Sequence, residues 1–411
     1  MKPLDPELCV RLAREYGTPF YLYDAGVIRA RIAELRGFDV IRYAQKACSN
    51  IHLLRLMHAE GVLVDAVSNG ELERALRAGY TGAGEPAGVV YTADVIDDLT
   101  LDRVIELDIP VNAGSVDMLE QVGRRKAGHR VWVRVNPGFG HGHSRKTNTG
   151  GPLSKHGVWH EYLDEALRQV EKYRLDLVGL HMHIGSGSDF EHLGRVCDAM
   201  VAQVRALGLD VRALSGGGGL PIPYKPDQKP FDTAALHRLW DAARRKVETG
   251  VGHSVSLEIE PGRFLVAESG ILVAQVRASK RVGGTRFLVV DAGFDNLIRP
   301  AMYGSYHEIS IVRADGSRAA GATEPTVVAG PLCESGDVFT QEEGGVVVPR
   351  ELPTASVGDF VVLHDAGAYA SSQASNYNTR PLAPEILLEN GFVRPIRRRQ
   401  SVEELLELEE V

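Results

Sequence analysis

Between residues 38 and 260 the chain alternates short β-branched runs with amphipathic stretches whose apolar residues recur at spacings of three and four. The runs fall at 38–44, 62–67, 88–92, 109–113, 130–136, 176–182, 211–215 and 255–260; the helix-like patterns fall at 51–60, 70–79, 94–106, 115–124, 161–172, 189–207 and 233–247. Strand alternating with helix predicts parallel pairing through right-handed crossovers, and eight such units are the number that closes a (β/α)8 barrel. After Gly262 the pattern changes to β-rich segments with turn signals: FLVAESGILVAQVRASK, TRFLVVDAGF, HEISIVRADGS, TVVAGPLCESGDVF and DFVVLHDAGAY. These predict a second, all-β domain, a sandwich or barrel, and the early strand TPFYLYDAG is expected to pair with it. The fold class is therefore α/β, a TIM-like barrel at 25–264, with a β domain formed by 1–24 and 265–411. The tail SVEELLELEEV predicts a short acidic surface helix.

Composition adds exclusions. A chain of 411 residues suits two or three domains at roughly 150 residues each. No apolar run reaches the ~18 residues of a membrane span, and MKPLDPELCVRLAREYG has no apolar stretch after its lysine, so neither membrane nor secretory leader is expected. Lys and Arg number 46 against 54 Asp and Glu, a net charge of −8 without a basic stripe, which argues against nucleic acid. Cys9, Cys48, Cys197 and Cys333 lack CxxC or CxxH spacing, so no zinc site or disulfide framework is expected and a reducing cytoplasm fits. A lone cysteine reads first as a small buried hydrophobe. Glycine is in excess, 44 residues against a usual ~7%, and must serve particular loops.

A barrel enzyme carries its chemistry at the carboxyl ends of its strands. The first strand runs into Lys46, in YAQKACSN, and the second carries Asp65. The fifth ends in Asn136 and Pro137, ahead of a polar, Gly-rich loop over 137–157 that reads as a lid; its His141 and His143 have no carboxylate cluster to make a metal site, and no metal is expected. The sixth ends in HMHIGSGSDF, where His181 and His183 share a strand face and Gly185, Ser186 and Gly187 can offer N–H groups and a hydroxyl to an anion. The seventh ends in SGGGGLP, placing Gly216, Gly217, Gly218 and Gly219 where barrels commonly bind phosphate. The eighth ends in EIEPGRF, with Glu260 and Arg263. An amine, a phosphate cradle, an imidazole and a carboxylate at one mouth are the parts required by pyridoxal 5'-phosphate, PLP.

With these motifs in order, and with DAGFDNLIRPAMYGSYH, CESGD and DAGAY…SNYNTRP after them, the chain resembles the diaminopimelate decarboxylases, of the barrel-fold group of PLP-dependent decarboxylases. The resemblance runs essentially end to end. It implies decarboxylation of meso-2,6-diaminopimelate to L-lysine, the last step of lysine biosynthesis. It implies that Lys46 carries the cofactor with Asp65 near it, that His183 stacks on its ring, and that Glu260 pairs with its pyridine nitrogen. Ser186, Gly217, Gly218, Gly219, Arg263 and Tyr369 would hold the phosphate or lie beside it. For substrate it implies Arg263, Arg299, Tyr303, Glu334 and Tyr369. Cys333 becomes the proton donor, supplied across a homodimer interface to a shared site, which sets aside the buried-hydrophobe reading for this cysteine.

Two residues after DAGAY, Ala370 and Gln373, depart from the family pattern without removing a named group. The competing reading is a decarboxylase of the same group acting on ornithine, arginine or carboxynorspermidine, substrates with no use for Arg299. A racemase fits Glu260 and the Cys333 segment less well, and a catalytically dead homologue is expected to lose Lys46 or Cys333, both of which are present.

Overall fold

The computed structural model describes residues 5–140, 149–186 and 189–410. Two compact units divide the chain: Arg31–Pro221 with Phe231–Phe264, and the residues up to Ala30 with Ile222–Pro230 and everything from Leu265 onward. Strand β1 (Phe20–Asp24) belongs to the second of these.

The first unit is built on β2 (Val40–Ala44), β3 (Leu63–Ala66), β4 (Val89–Ala93), β5 (Val111–Ala113), β6 (Arg130–Asn136), the two-residue β7 (Val158–Trp159), β8 (Asp176–His181), β9 (Ala213–Ser215) and β10 (Ser256–Ile259). Apart from β7, which pairs in parallel beside the end of β6, these form a parallel sheet in the order β5-β4-β3-β2-β10-β9-β8-β6, and β6 pairs back onto β5 to close the eight-stranded barrel. Each of the eight expected runs contains one of these strands or overlaps it. Val90, Trp132, Val178 and Ala213 pack as one buried cluster from β4, β6, β8 and β9. Strands that are not all neighbours in the sheet meet there only by filling the barrel's interior.

The helices start where capping side chains permit. Asn50, Ser68, Ser115, Asp189 and Asp232 each accept a backbone N–H at the first turn of the helix that follows. The pattern expected to be helical from 94 starts at Asp98, because the Asp97 carboxylate accepts from Thr100 N at 2.8 Å and ends the preceding extended chain.

Among the few charged groups inside this unit, Arg42 and Glu258 join β2 to β10, with Nε and Nη2 donating to Glu258 Oε2 at 3.1 and 3.0 Å. Their side chains are only 2% and 4% exposed. Burial pushes the Glu258 carboxyl up despite the guanidinium beside it. Removing one member strands a buried charge, whereas replacing both with apolar groups does not. Arg42→Met is therefore expected to cost about 3–5 kcal/mol of unfolding free energy in urea, and Arg42→Met with Glu258→Met to recover most of it.

In the second unit a nine-stranded sheet runs β17-β14-β12-β11-β1-β19-β20, where β11 is Gly270–Val282, β12 Thr285–Val290, β14 Thr323–Ala329, β17 Arg350–Pro353, β19 Glu385–Glu389 and β20 Phe392–Arg397. Strand β18 (Phe360–Leu363) pairs β11 and β13 (Ile309–Val312). The N-terminal β1 lies antiparallel to β11 and parallel to β19, so it joins the later β domain as expected. Helix Pro6–Tyr16, which the sequence reading did not single out, buries Cys9, Val10 and Leu12 against Phe20, Leu22, Ile271, Val273 and Val362. FLVAESG is not strand at its start: Arg263–Val266 forms a helical turn, and β11 opens at Gly270. The acidic tail carries a helix, Val402–Leu406, with a capping box between Ser401 and Glu404. Among the described residues no helix is long and apolar enough to cross a membrane.

Candidate active site

Because all eight barrel strands run the same way, the residues following them gather at one mouth. Lys46 stands on the helical turn Gln45–Ala47 that continues β2, and Gln45 Nε2 ties that turn to β3 through Asp65 O at 3.0 Å. Asp65 is the third residue of β3, and its Oδ1 is buried without a hydrogen-bond partner among the described residues. His181 ends β8, and His183 follows two residues on. Glu260 follows β10, and His181 Nε2 donates to Glu260 Oε2 at 2.7 Å.

The charges at this mouth act on one another. Burial would raise the Glu260 carboxyl, but His181 and the Arg42 and Arg134 guanidiniums outweigh it and hold the group below its ordinary value. Burial and the neighbouring Glu260 charge instead push Asp65 well above its ordinary value, against the Lys46 ammonium. The surroundings thus favour the charged form of Glu260 and the neutral form of Asp65. Burial, with the positive charges of Arg134 and Lys46, pushes His183 well below the usual imidazole value, so its ring is neutral at neutral pH.

The glycine run is packed against both histidine and acid. Gly217 (φ +62°) and Gly219 (φ +92°) take left-handed backbone conformations that side chains rarely adopt. A Cβ at Gly218 would lie 2.3 Å from Glu260 O, and one at Gly219 would lie 2.1 Å from Gly185 O. Glu260 N donates to Gly217 O at 2.8 Å, so the loops after β9 and β10 are stitched together. Ser186 follows Gly185 and is half-buried, and Arg263 opens the helical turn after Glu260. Gly187, His141 and His143 lie outside the described residues.

These residues fit pyridoxal phosphate. They provide an amine, an ionised carboxylate, a neutral imidazole, and a glycine backbone on which a Cβ at Gly218 or Gly219 would collide with its neighbours.

The remaining expected residues lie in the other unit. Arg299 and Tyr303 begin and end the helical turn Arg299–Tyr303, and the Arg299 side chain is buried. Cys333 is exposed, whereas Cys9, Cys48 and Cys197 are buried, with burial pushing the thiols of Cys9 and Cys197 up to about 12. The segment around Cys333 is pinned on several sides. Cys333 N donates to Asn378 Oδ1 at 3.0 Å, and Tyr377 OH donates to Glu334 Oε1. The Asp337 carboxylate accepts from Leu332 N at 2.8 Å and Phe294 N at 2.7 Å. Tyr369 has φ +58°, a strained backbone held by its surroundings. Ala370 beside it is buried, and Gln373 is exposed.

Residues 28–267 match the family model described as pyridoxal-dependent decarboxylase, pyridoxal binding domain. A curated diaminopimelate decarboxylase of Streptomyces coelicolor is 61% identical over 98% of this chain and 92% of its own. That of Escherichia coli K12 is 60% identical over 99% and 97%. The chain belongs to the diaminopimelate decarboxylase family. A crystal structure of a diaminopimelate decarboxylase superposes with a TM-score of 0.97 at 59% identity, covering 99% of this chain and 98% of the other.

Against this family background, the sequence reading overlooked several supporting residues. His181 was read with His183 as a pair on one face, yet its partner is Glu260. Arg134 had no role assigned, although its buried guanidinium acts on both Glu260 and His183. The HxH spacing was the available signal for His181. Asp337 closes the CESGD motif and Tyr377 and Asn378 lie in SNYNTRP, but neither motif told which of its residues tie the two segments together.

Proposed function

We propose that the protein decarboxylates meso-2,6-diaminopimelate to L-lysine and CO2 with pyridoxal phosphate as cofactor, as the last step of lysine biosynthesis, in the cytoplasm and as a homodimer with shared sites. The observation that carries this reading is the convergence of Lys46, Glu260, His183 and the Gly217–Gly219 cradle at one barrel mouth, in a chain of this family.

Pyridoxal phosphate supplies, when bound, an electron sink for the pair left on Cα as CO2 departs. Lys46 would hold the cofactor through its amine. The backbone N–H groups of Gly217, Gly218 and Gly219, with Ser186, Arg263 and Tyr369, bind the phosphate. His183, neutral, would lie against the ring without adding charge to it. Glu260, ionised and fixed by His181, keeps a proton on the pyridine nitrogen, where it makes the ring most electron-withdrawing. Arg299, with Tyr303, binds the substrate carboxylate that is not lost, and Glu334 binds the distal ammonium. Cys333, from the partner subunit, gives its Sγ proton to Cα after CO2 has left.

Supplied with meso-diaminopimelate, ornithine, arginine and carboxynorspermidine, the holoenzyme is expected to release CO2 from the first and to leave the others near background. Equal rates on ornithine and diaminopimelate would refute the assignment. Arg299→Ala is expected to raise KM for diaminopimelate roughly 10- to 100-fold, the loss of a charged hydrogen-bonding partner, with cofactor affinity unchanged.

A further inference from the structure

The guanidinium of Arg299 is held by groups to which no role has been given. Nη1 donates to His307 Nε2 at 2.8 Å, and His307 Nδ1 faces His364 O at 2.8 Å. The guanidinium carbon lies 4.6 Å from the centre of the Tyr224 ring, and that ring meets His307 edge-on, 5.4 Å between centres. Arg299 is 4% and His307 1% exposed. Tyr224 comes from Ile222–Pro230, the segment between the two stretches of the barrel unit that belongs to the β unit.

A guanidinium has only donors, so His307 Nε2 must present its lone pair. A carbonyl has only acceptors, so Nδ1 must carry the hydrogen. His307 is thereby fixed as one neutral tautomer. A neutral imidazole orients the guanidinium without adding a counter-charge of its own, while the Arg299 charge also acts on the Asp365 carboxyl. The Tyr224 ring face acts in the same sense, restraining a planar cation by its quadrupole without a counter-charge.

We infer that His307 and Tyr224 are positioning residues that aim the Arg299 guanidinium at the retained carboxylate of the substrate, and so set the selectivity for diamino acids that bear one. This rests on the reading of Arg299 given under the proposed function.

The test compares His307→Ala, His307→Gln, Tyr224→Leu, Arg299→Ala and the Arg299→Ala/His307→Ala double variant as holoenzymes. The measurements are kcat, KM for meso-diaminopimelate, inhibition by L-lysine and cofactor absorbance. In His307→Ala, KM and the L-lysine inhibition constant are expected to rise together by about 10-fold or more. Both ligands carry the retained carboxylate, while kcat and cofactor content change little. Glutamine, whose side-chain carbonyl can accept from Arg299, is expected to recover most of the loss. Tyr224→Leu, at a half-buried position, is expected to show a smaller rise of the same kind and keeps the test open if His307→Ala does not fold. In the double variant His307→Ala adds nothing to Arg299→Ala.

A normal KM in His307→Ala and Tyr224→Leu beside a raised KM in Arg299→Ala would overturn the inference and leave the reading of Arg299 intact. So would a parallel fall of kcat and cofactor content, or additive effects in the double variant. A normal KM in Arg299→Ala would remove that reading itself, and the inference with it.

Discussion

Lys46→Ala is expected to give a colourless protein with no measurable turnover, a loss of at least about 1,000-fold, while the wild type is yellow once loaded with pyridoxal phosphate. The amine stands on the turn Gln45–Ala47, and Gln45 fixes that turn to β3, so the substitution removes a nucleophile without disturbing a buried contact. Lys46→Arg separates the two properties of the residue. It keeps the positive charge that acts on Asp65 and His183, but a guanidinium does not attach to the cofactor's aldehyde, so this variant is expected to be as inactive as alanine. Absorbance spectra before and after dialysis against the cofactor, with CO2 release as the second readout, decide the matter. A wild type that stays colourless on reconstitution would sink the assignment of Lys46 and the cofactor together.

The barrel strands were legible in the sequence because a strand covered on both faces is written as a nearly unbroken apolar run. VIRYA and RVWVRVN show it, each carrying a single buried arginine, Arg42 and Arg134. Helix starts were misplaced where a cap decides them, as at Asp97. The position of Ile222–Pro230 with the β unit was not legible at all. It follows the glycine run in sequence and reads as an ordinary barrel loop, because pairing between distant segments leaves no local pattern. The same limit explains the site. Lys46 and Glu260 could be read from what ends their strands. His181, Asp337 and His307 act through partners 79, 43 and 8 residues away, and only the folded chain brings those partners together.

Cys333→Ala is expected to keep the yellow colour of the wild type and to lose turnover by roughly 100- to 10,000-fold, the range for removal of a positioned proton donor. The strongest form of the experiment mixes this variant with Lys46→Ala. In a two-fold symmetric dimer each site would draw Lys46 from one subunit and Cys333 from the other. A mixed dimer of the two variants would then hold one site with both defects and one with neither. Equal amounts, randomly exchanged, should recover about a quarter of the wild-type activity from two nearly inactive preparations. The local structure favours a working role for this thiol: Cys333 is exposed, while its backbone is held by Asn378 and its neighbour Glu334 by Tyr377. Asn378→Ala should in turn lower the activity of Cys333-containing sites without bleaching the cofactor. Absence of recovery in mixtures shown by mass spectrometry to have exchanged subunits would place Cys333 in the site of its own subunit, or outside the reaction.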